Sequence, residues 1–444
     1  MIYDHLPYFL YNRLCPDYLP IELRTKYFNF KQRNYPNKIF CNDLLEQIKL
    51  SYNNCKYYRE KLCKSFDFTV PEELSMKDLE TVPYLPTDTY KKSRGRTLYL
   101  LKAPLRKIAL FSCSSSTTGD PSIVPRTVED FDALQYNSIK VFKEFFIWEE
   151  IKPTLERKAV IFNFAPDRLF MTMMAKKNVK GFNYLKKTRY FTACMNKPWE
   201  YYGHVEYMIK FHLSKSIWAL ISSLSIRGGF IVDVSRMLKM IKKILKTGYW
   251  EKKKVSKIIL GGSPLLMNNM FENRLLREKK YYNLNGISFV GCGGGGWDGI
   301  KGEAKLNAVN KVKFIENYEK VFNIKPNNIG DIYAFTEGPT LFGGHWSEKY
   351  QDFLLHCPDT ARIIVRDLEK LMPVNEGEEG LLEVITPYGV NGSINQALLV
   401  DDIIELISKN KCPECGYQGA TFRILGRLKN AQGKGCSSLI DWTY

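Results

Sequence analysis

The sequence contains no internal repeat, no low-complexity segment and no apolar run long enough to cross a bilayer. The longest apolar-looking stretch, Ile217–Ile226, is too short for that purpose and is interrupted by serines. Residues 1–13 lack the basic region and the small-residue cleavage site of a signal peptide. The 11 cysteines are odd in number and follow no regular spacing, which argues against a disulfide scaffold. These absences predict a cytoplasmic protein with reduced thiols and no transmembrane segment.

Blocks of like charge are also absent. The net charge is +18, but the basic residues are scattered, and Lys, Asn, Tyr and Ile are abundant together, which is typical of a biased genome. We therefore expect no nucleic acid partner, and binding to anionic surfaces through the overall charge is the alternative. The segment Ser235–Lys246 carries apolar residues on one face and cations on the other. It predicts a surface helix that covers a sheet, with a membrane-surface or acidic-partner helix as the alternative.

The length of 444 residues and the hydrophobic content of 45% allow a large core. From Leu98 onward, short apolar strands alternate with amphipathic helices, which predicts an α/β fold with parallel or mixed sheets. The predicted strands are Ala159–Phe164, Lys257–Leu260, Gly286–Val290, Asp331–Phe335 and Gly380–Ile385. We expect an N-terminal helical segment (residues 1–95) packed on an α/β core (96–400), followed by a C-terminal region (401–444).

The most distinctive segment, SCSSSTTGDP at residues 112–121, follows a predicted strand at Ile108–Phe111. Adjacent hydroxyl side chains compete with the backbone for hydrogen bonds, so they are unfavourable inside regular elements. Hydroxyls and backbone amides in a loop can instead surround phosphate oxygens, whereas a solvated Ser/Thr linker is the alternative. The residues expected to hold phosphate are Ser114, Ser115, Thr117, Thr118 and Gly119.

Two later segments place glycine or polar residues at strand ends, where ligand loops of α/β sheets lie. FVGCGGGGW at Phe289–Trp297 includes Gly294 and Gly295. Such a run allows close approach of a flat ligand such as adenine, or a tight strand-to-helix crossover. DIYAFTEGP at Asp331–Pro339 ends a strand at Tyr333 and presents Thr336 and Glu337. A carboxylate there can hold Mg²⁺ that is bound to phosphates, and a solvated loop glutamate is the alternative.

The hydroxyl-rich loop resembles the phosphate-binding signature of adenylate-forming enzymes, S-S-G-T-T-G-x-P-K. Ser116 stands in place of the glycine and Ser122 in place of the lysine. The missing lysine removes one cation from the triphosphate site, and the resemblance implies that Arg126 supplies this charge instead.

Further segments occur in the same order as in that family. Tyr333, Thr336 and Glu337 resemble Y-G-x-T-E, Asp402 in LLVDDI resembles the aspartate of T-G-D, and Gly426-Arg427 resembles the G-R hinge. The resemblance implies that ATP and Mg²⁺ are used to convert a carboxylic acid to an acyl adenylate. The implied roles are nucleotide binding for Tyr333, an α-phosphate contact for Thr336, Mg²⁺ binding for Glu337, a ribose contact for Asp402 and nucleotide positioning for Arg427.

Within that superfamily the chain most resembles the acyl-protein synthetase subunit of the bacterial bioluminescence fatty acid reductase, followed by the phenylacetate–CoA ligases. The segments that carry this resemblance are NCKYYREKLC, VPYLPTDTYK, NFAPDR, LGGSPL, GGGGW, LLHCP and GKGCSSL. It implies a large adenylate-forming domain with layered α/β sheets, whose small mobile C-terminal domain is absent or truncated. A fatty acid substrate and a hetero-complex with reductase or transferase subunits are implied as well.

In that family a cysteine near the C-terminus accepts the acyl group, and Cys436 occupies the matching position. Lys434 would lower the pKa of this thiol, and Lys434, Lys429 or a partner subunit would replace the lysine of the missing domain. A free cysteine in a frayed tail is the local alternative for Cys436. The alternatives for the whole chain are coenzyme A or a carrier protein as acyl acceptor, or a catalytically inactive scaffold subunit.

Cys412-Pro-Glu-Cys415-Gly416 has the C-x-x-C spacing of half a structural zinc site. His356 and Cys357 are the residues we expect to complete it. A reduced turn shaped by Gly416 is the alternative. His345 is predicted to be a packing or supporting residue.

Overall fold

The computed structural model describes residues 35–428 and 440–441, apart from gaps at 92–93, 109, 114–121, 128, 131–132, 135–136, 138–139, 142–158, 165–188, 192–229, 232–233, 251–252, 255–256, 263, 285–286, 294–296, 298–299, 302–303 and 306–307. The helices are α1 (Asn37–Asn54), α2 (Cys63–Ser65), α3 (Val234–Thr247), α4 (Pro264–Met270) and α5 (Lys311–Phe322). Single π-helical turns lie at Tyr58–Leu62 and Phe271–Leu276, and 3₁₀ turns at Met76–Thr81, Thr87–Tyr90, Leu105–Lys107 and Pro326–Asn328.

The strands, in chain order, are β1 (Leu85–Pro86), β2 (Leu110–Cys113), β3 (Ile123–Arg126), β4 (Ala159–Phe164), β5 (Arg189–Phe191), β6 (Phe230–Ile231), β7 (Tyr249–Trp250), β8 (Lys253–Lys254), β9 (Lys257–Gly262), β10 (Ile287–Gly293), β11 (Ile300–Lys301), β12 (Ala304–Lys305), β13 (Ile329–Ala334), β14 (Leu341–Ser347), β15 (Asp352–His356), β16 (Arg362–Arg366), β17 (Glu379–Ile385), β18 (Ala397–Ser408), β19 (Thr421–Arg427) and β20 (Ile440–Asp441).

One mixed sheet of 12 strands organises the described residues. Its parallel half runs β5–β4–β9–β10–β13. From β13 it continues as an antiparallel half, β14–β15–β19–β18–β17–β16, and β1 joins β18 in parallel. All six residues of β13 are buried, as expected for a strand covered on both faces. The predicted α/β class is confirmed, and the five predicted strands are β4, β9, β10, β13 and β17.

Helices α3, α4 and α5 pack on the parallel half around one hydrophobic cluster that includes Ile241, Leu260 and Phe314. The predicted surface helix is α3: its Leu238, Ile241 and Ile244 are buried, while its described lysines are exposed. The amphipathic pattern of this segment therefore serves packing against the core. Over the described ranges, no helix is both long and apolar enough to cross a membrane.

The first helix of the described residues, α1, packs on the antiparallel half. Its Phe40, Leu44 and Ile48 recur every fourth residue, lie on one face and join a second cluster with Val384 and Leu398. The expected boundary between residues 400 and 401 falls inside β18. Residues 401–427 therefore continue the same sheet as the residues before them.

The edge where the parallel strands end is the part of the fold that positions the site. Gly293, the last residue of β10, pairs with Ala334, the last residue of β13, and Gly262 of β9 pairs with Phe164 of β4. Gly293, where the glycine run begins, and Ala334, which precedes the Thr336–Glu337 loop by two residues, therefore lie side by side at this edge. This is the edge at which α/β sheets bind ligands.

Candidate active site

Three residues singled out in the sequence, Tyr333, Asp402 and Arg427, are in direct contact. The Tyr333 hydroxyl donates a hydrogen bond of 2.6 Å to Asp402 Oδ2, and Arg427 Nε donates one of 2.8 Å to Asp402 Oδ1. Asp402 and Arg427 face each other in the β18–β19 ladder, and Tyr333 reaches them from β13. Asp402 is completely buried. Burying a carboxylate is costly unless charged and hydrogen-bonded partners compensate, and here both of its oxygens have such partners.

The protonation states in this triad support one another. Burial and the adjacent Asp402 carboxylate raise the pKa of Tyr333 well above its usual value, so its hydroxyl remains a donor. Burial alone would lower the pKa of Arg427, but the charges of Asp402 and Asp401 outweigh it and raise that pKa. The triad therefore joins β13, β18 and β19 through one buried ion pair.

Asp401 is a candidate site residue that the sequence reasoning missed. It lies on the half-exposed face of β18, and its side chain keeps 26% of its surface accessible. Its carboxylate accepts a 3.3 Å hydrogen bond from Thr87 Oγ1 and lies 3.8 Å from Arg427 Nε. Of the two adjacent aspartates, Asp401 is the one that reaches solvent. The only signal in the sequence was the doubled aspartate in LLVDDI.

Arg126 holds the loop that carries Thr336 and Glu337. Its fully buried guanidinium donates to the carbonyl oxygens of Thr336 (2.8 Å), Glu337 (3.3 Å), Gly338 (3.4 Å) and Gly389 (3.3 Å). Asn395 Nδ2 adds a 3.0 Å bond to the Glu337 carbonyl. The loop is thus fixed through its backbone, and the Glu337 side chain is itself buried.

This position of Arg126 differs from the direct phosphate contact expected from the sequence. Burial lowers the pKa of the guanidinium, while Asp130 opposes this effect, and the buried donors are directed at the loop carbonyls. A buried guanidinium requires acceptors for its N–H groups, and the carbonyl oxygens of residues 336–338 provide them. Arg126 is therefore a positioning residue for that loop.

Strands β2 and β3 form an antiparallel hairpin in which Cys113 pairs with Ile123 and Leu110 pairs with Arg126. The hydroxyl-rich loop connects these two strands. Because β3 is four residues long, its loop end lies about 10 Å from Arg126. Through Arg126, the hairpin that flanks the predicted phosphate loop is hydrogen-bonded to the Thr336–Glu337 loop.

Several of the predicted site residues lie outside the described residues, and their roles stay predictions. They are Ser114, Ser115, Thr117, Thr118, Gly119, Gly294, Gly295, Lys434 and Cys436.

A second cluster forms at the β18–β19 connection. One donor atom from each of His345, His356, Cys412 and Cys415 lies within 4.8 Å of the others. The expectation that Cys357 belongs to this set is wrong, because its buried Sγ contacts the Pro358 carbonyl instead. Neighbouring residues along an extended chain point to opposite faces, so His356 and Cys357 do not share one.

His345, expected to be a packing residue, is the fourth member of the cluster. Its partner across the β14–β15 ladder is Leu354, two residues from His356. The two histidines therefore lie diagonally on one face of the hairpin, close enough for their rings to meet.

Comparisons with known proteins agree with this architecture. Residues 225–443 match the family model described as acyl-protein synthetase, LuxE. A crystal structure of 2-hydroxyisobutyryl-CoA ligase in the postadenylation state with 2-HIB-AMP superposes with a TM-score of 0.58 at 14% identity, covering 93% of this chain and 76% of that one. An open conformation of the same ligase with 2-HIB-AMP and CoA gives a TM-score of 0.57 at 15% identity, covering 90% and 75%.

Among curated proteins, no sequence matches significantly. The structural neighbours establish the fold, and the family match covers the part of the chain that contributes Tyr333, Asp402 and Arg427. Over residues 225–443, just under half of its length, the chain therefore matches the acyl-protein synthetase family, and its fold is that of adenylate-forming ligases.

Proposed function

We propose that this chain activates a fatty acid with ATP and passes the acyl group to Cys436 as a thioester. The observation that carries the activation step is the site at the sheet edge. The Tyr333–Asp402–Arg427 triad lies there, and Arg126, on the hairpin that flanks the hydroxyl loop, clamps the Thr336–Glu337 loop. Fatty acid as the substrate and Cys436 as the acceptor are supported by the family alone.

In the proposed first step, the substrate carboxylate attacks the α-phosphorus of ATP, and pyrophosphate leaves. Ser114, Ser115, Thr117, Thr118 and Gly119 would hold the phosphates with their hydroxyl and amide groups. Thr336 would contact the α-phosphate, and its half-buried position on a clamped loop supports this role. Fixed donors aimed at developing charge stabilise such a displacement without reorganising. The Gly294–Gly295 backbone would lie against the adenine.

A carboxylate oxygen on a rigid loop is the kind of donor that Mg²⁺ prefers, and Glu337 fits that requirement. When bound, Mg²⁺ neutralises charge on the phosphates. Glu337 would hold the ion while Arg126 and Asn395 fix the backbone on which it sits.

The aspartate pair would bind the ribose. Asp402 would accept from a ribose hydroxyl in competition with Tyr333, while Arg427 keeps its carboxylate in place. Asp401, with its accessible carboxylate, is positioned to assist.

In the second step, the Cys436 thiolate would attack the acyl carbonyl, forming a carbon–sulfur bond as AMP leaves. A thiolate is suited to this step, and Lys434 would favour its formation. The thioester would then pass to a reductase or transferase subunit.

Substrate-dependent exchange of labelled pyrophosphate into ATP tests the activation step. The exchange should appear with fatty acids in a panel of carboxylic acids, on the isolated chain or after its partner subunits are added. If neither preparation shows exchange with any acid, the chain is a scaffold and the proposal is wrong.

We expect replacement of Cys436 by serine to abolish acyl labelling of the protein while pyrophosphate exchange continues. The reason is that adenylation precedes the thiol step and does not need the sulfur. Intact mass after incubation with ATP and fatty acid measures the label, and Cys41→Ala is the matched control. If Cys436→Ser kept the label, the acyl acceptor would be another residue and the proposed role of Cys436 would be wrong.

The alternative acceptor is coenzyme A, which is present in a structural neighbour of this fold. In that case Cys436→Ser would leave product formation unchanged, and acyl-CoA would accumulate in proportion to added CoA.

A further inference from the structure

We propose that His345, His356, Cys412 and Cys415 bind one Zn²⁺ ion in a tetrahedral structural site. The site would tie the β18–β19 connection to the β14–β15 hairpin. His356 pairs with Thr421 at the start of β19, whereas Arg427 of the proposed nucleotide site is the last residue of that strand. The zinc site does not depend on the proposed function.

The geometry of the four donors fits zinc. Zn–S bonds of about 2.3 Å and Zn–N bonds of about 2.1 Å at tetrahedral angles separate sulfur from nitrogen by about 3.6 Å. Cys412 Sγ lies 3.6 Å from His345 Nε2, and Cys415 Sγ lies 3.4 Å from His356 Nε2. Since all four donors lie within 4.8 Å of one another, a single ion can reach each of them.

The second nitrogen of each histidine is held by the protein. His345 Nδ1 lies 3.0 Å from the Trp346 carbonyl oxygen, which can only accept, so Nδ1 carries the proton and Nε2 presents a lone pair. His356 Nδ1 lies 3.1 Å from Thr421 Oγ1. A histidine oriented in this way through its remote nitrogen is typical of metal ligands.

The two cysteines lie on a compact turn that is shaped for binding. Gly416 N donates to the Cys412 carbonyl, and Gly416 adopts a φ of +74°, a conformation that favours glycine. Both cysteines are free thiols. Cys412 is buried while Cys415 is exposed, so an ion can enter from the side of Cys415.

Charge and connectivity also favour a structural ion. Two thiolates would neutralise a divalent cation, and two neutral imidazoles complete a set that selects zinc over hard cations. The four ligands come from three separate stretches of the chain, namely β14, β15 and the connection between β18 and β19. An ion here would therefore anchor the chain that enters β19, the strand that ends in Arg427.

Metal content of the purified full-length protein tests the site. We expect about one zinc per chain by elemental analysis in the wild type, and a loss of most of it in Cys412→Ser and His345→Ala. Cys357→Ser is the matched control, because Cys357 follows His356 in the sequence but lies outside the cluster. This variant should keep its zinc. A metal-free wild type, or equal losses in Cys357→Ser and Cys412→Ser, would overturn the proposal.

A second measurement applies if the ligand variants do not fold. Wild-type protein loaded with Co²⁺ should show the intense visible bands of tetrahedral cobalt together with thiolate charge transfer in the near ultraviolet. Removing the metal with a chelator should lower the unfolding temperature by about 5 °C or more, because an ion that binds only the folded state stabilises it. A weak spectrum typical of octahedral cobalt, or a Cys412–Cys415 disulfide found by mass under reducing purification, would contradict the site.

Discussion

Replacing Asp402 by asparagine should lower fatty-acid-dependent pyrophosphate exchange by about 100-fold or more. Asparagine offers one acceptor oxygen, so it cannot accept from both the Tyr333 hydroxyl and Arg427 Nε. It also leaves the buried Arg427 guanidinium without its closest counter-charge. Removing one partner of a buried ion pair costs roughly 3–5 kcal/mol, which corresponds to a factor of about 10²–10⁴ in an equilibrium constant.

Two further variants separate the contributions within this site. Tyr333→Phe removes one hydrogen bond and keeps the charges, so we expect a loss of about 1 kcal/mol of stability and a modest loss of exchange. Asp401→Asn should fold normally, because Asp401 is partly exposed. If Asp401→Asn raises the KM for ATP more than Asp402→Asn does, the ribose contact belongs to Asp401. Wild-type exchange and wild-type urea unfolding in Asp402→Asn would contradict the proposed site.

Replacing Arg126 by methionine should abolish measurable exchange and destabilise the protein by about 3 kcal/mol or more. Four backbone carbonyls lose a charged donor in a buried region, and hydrogen bonds to charged groups contribute about 1.5–3 kcal/mol each. The loop that carries Thr336 and Glu337 would then lose its fixed position. Urea unfolding and exchange kinetics on the same preparations measure the two effects.

Arg126→Lys distinguishes a positioning role from a direct phosphate contact. A lysine keeps the charge but has no planar set of donors, so a positioning role predicts reduced stability together with reduced kcat. A direct phosphate contact predicts a raised KM for ATP with an unchanged unfolding midpoint. Arg94→Met is the matched control, since Arg94 forms an exposed ion pair with Asp88 and should tolerate the change.

Much of the site could be read from residue types and their order. The resemblance to three motifs of the adenylate-forming enzymes predicts Tyr333, Asp402 and Arg427 as site residues, and these residues are in direct contact. The sequence predicts that the glycine run and the Thr336–Glu337 loop lie at strand ends. Gly293, the first of the four glycines, pairs with Ala334, which lies two residues before Thr336. The strand-end loops can be predicted from local patterns, because an apolar strand followed by glycine or hydroxyl residues is recognisable within a few consecutive residues of the sequence.

The sequence by itself determined the α/β class, the succession of strands and loops, and the residue types able to bind phosphate, Mg²⁺ and zinc. Only the tertiary structure decided that Arg126 turns to the carbonyls of residues 336–338, that Asp402 is enclosed while Asp401 reaches solvent, and that His345 rather than Cys357 joins the cysteine pair. The physical reason is that these outcomes depend on which face of a strand each side chain occupies. They depend equally on strand pairing between residues far apart in sequence, and neither property is encoded in a local motif.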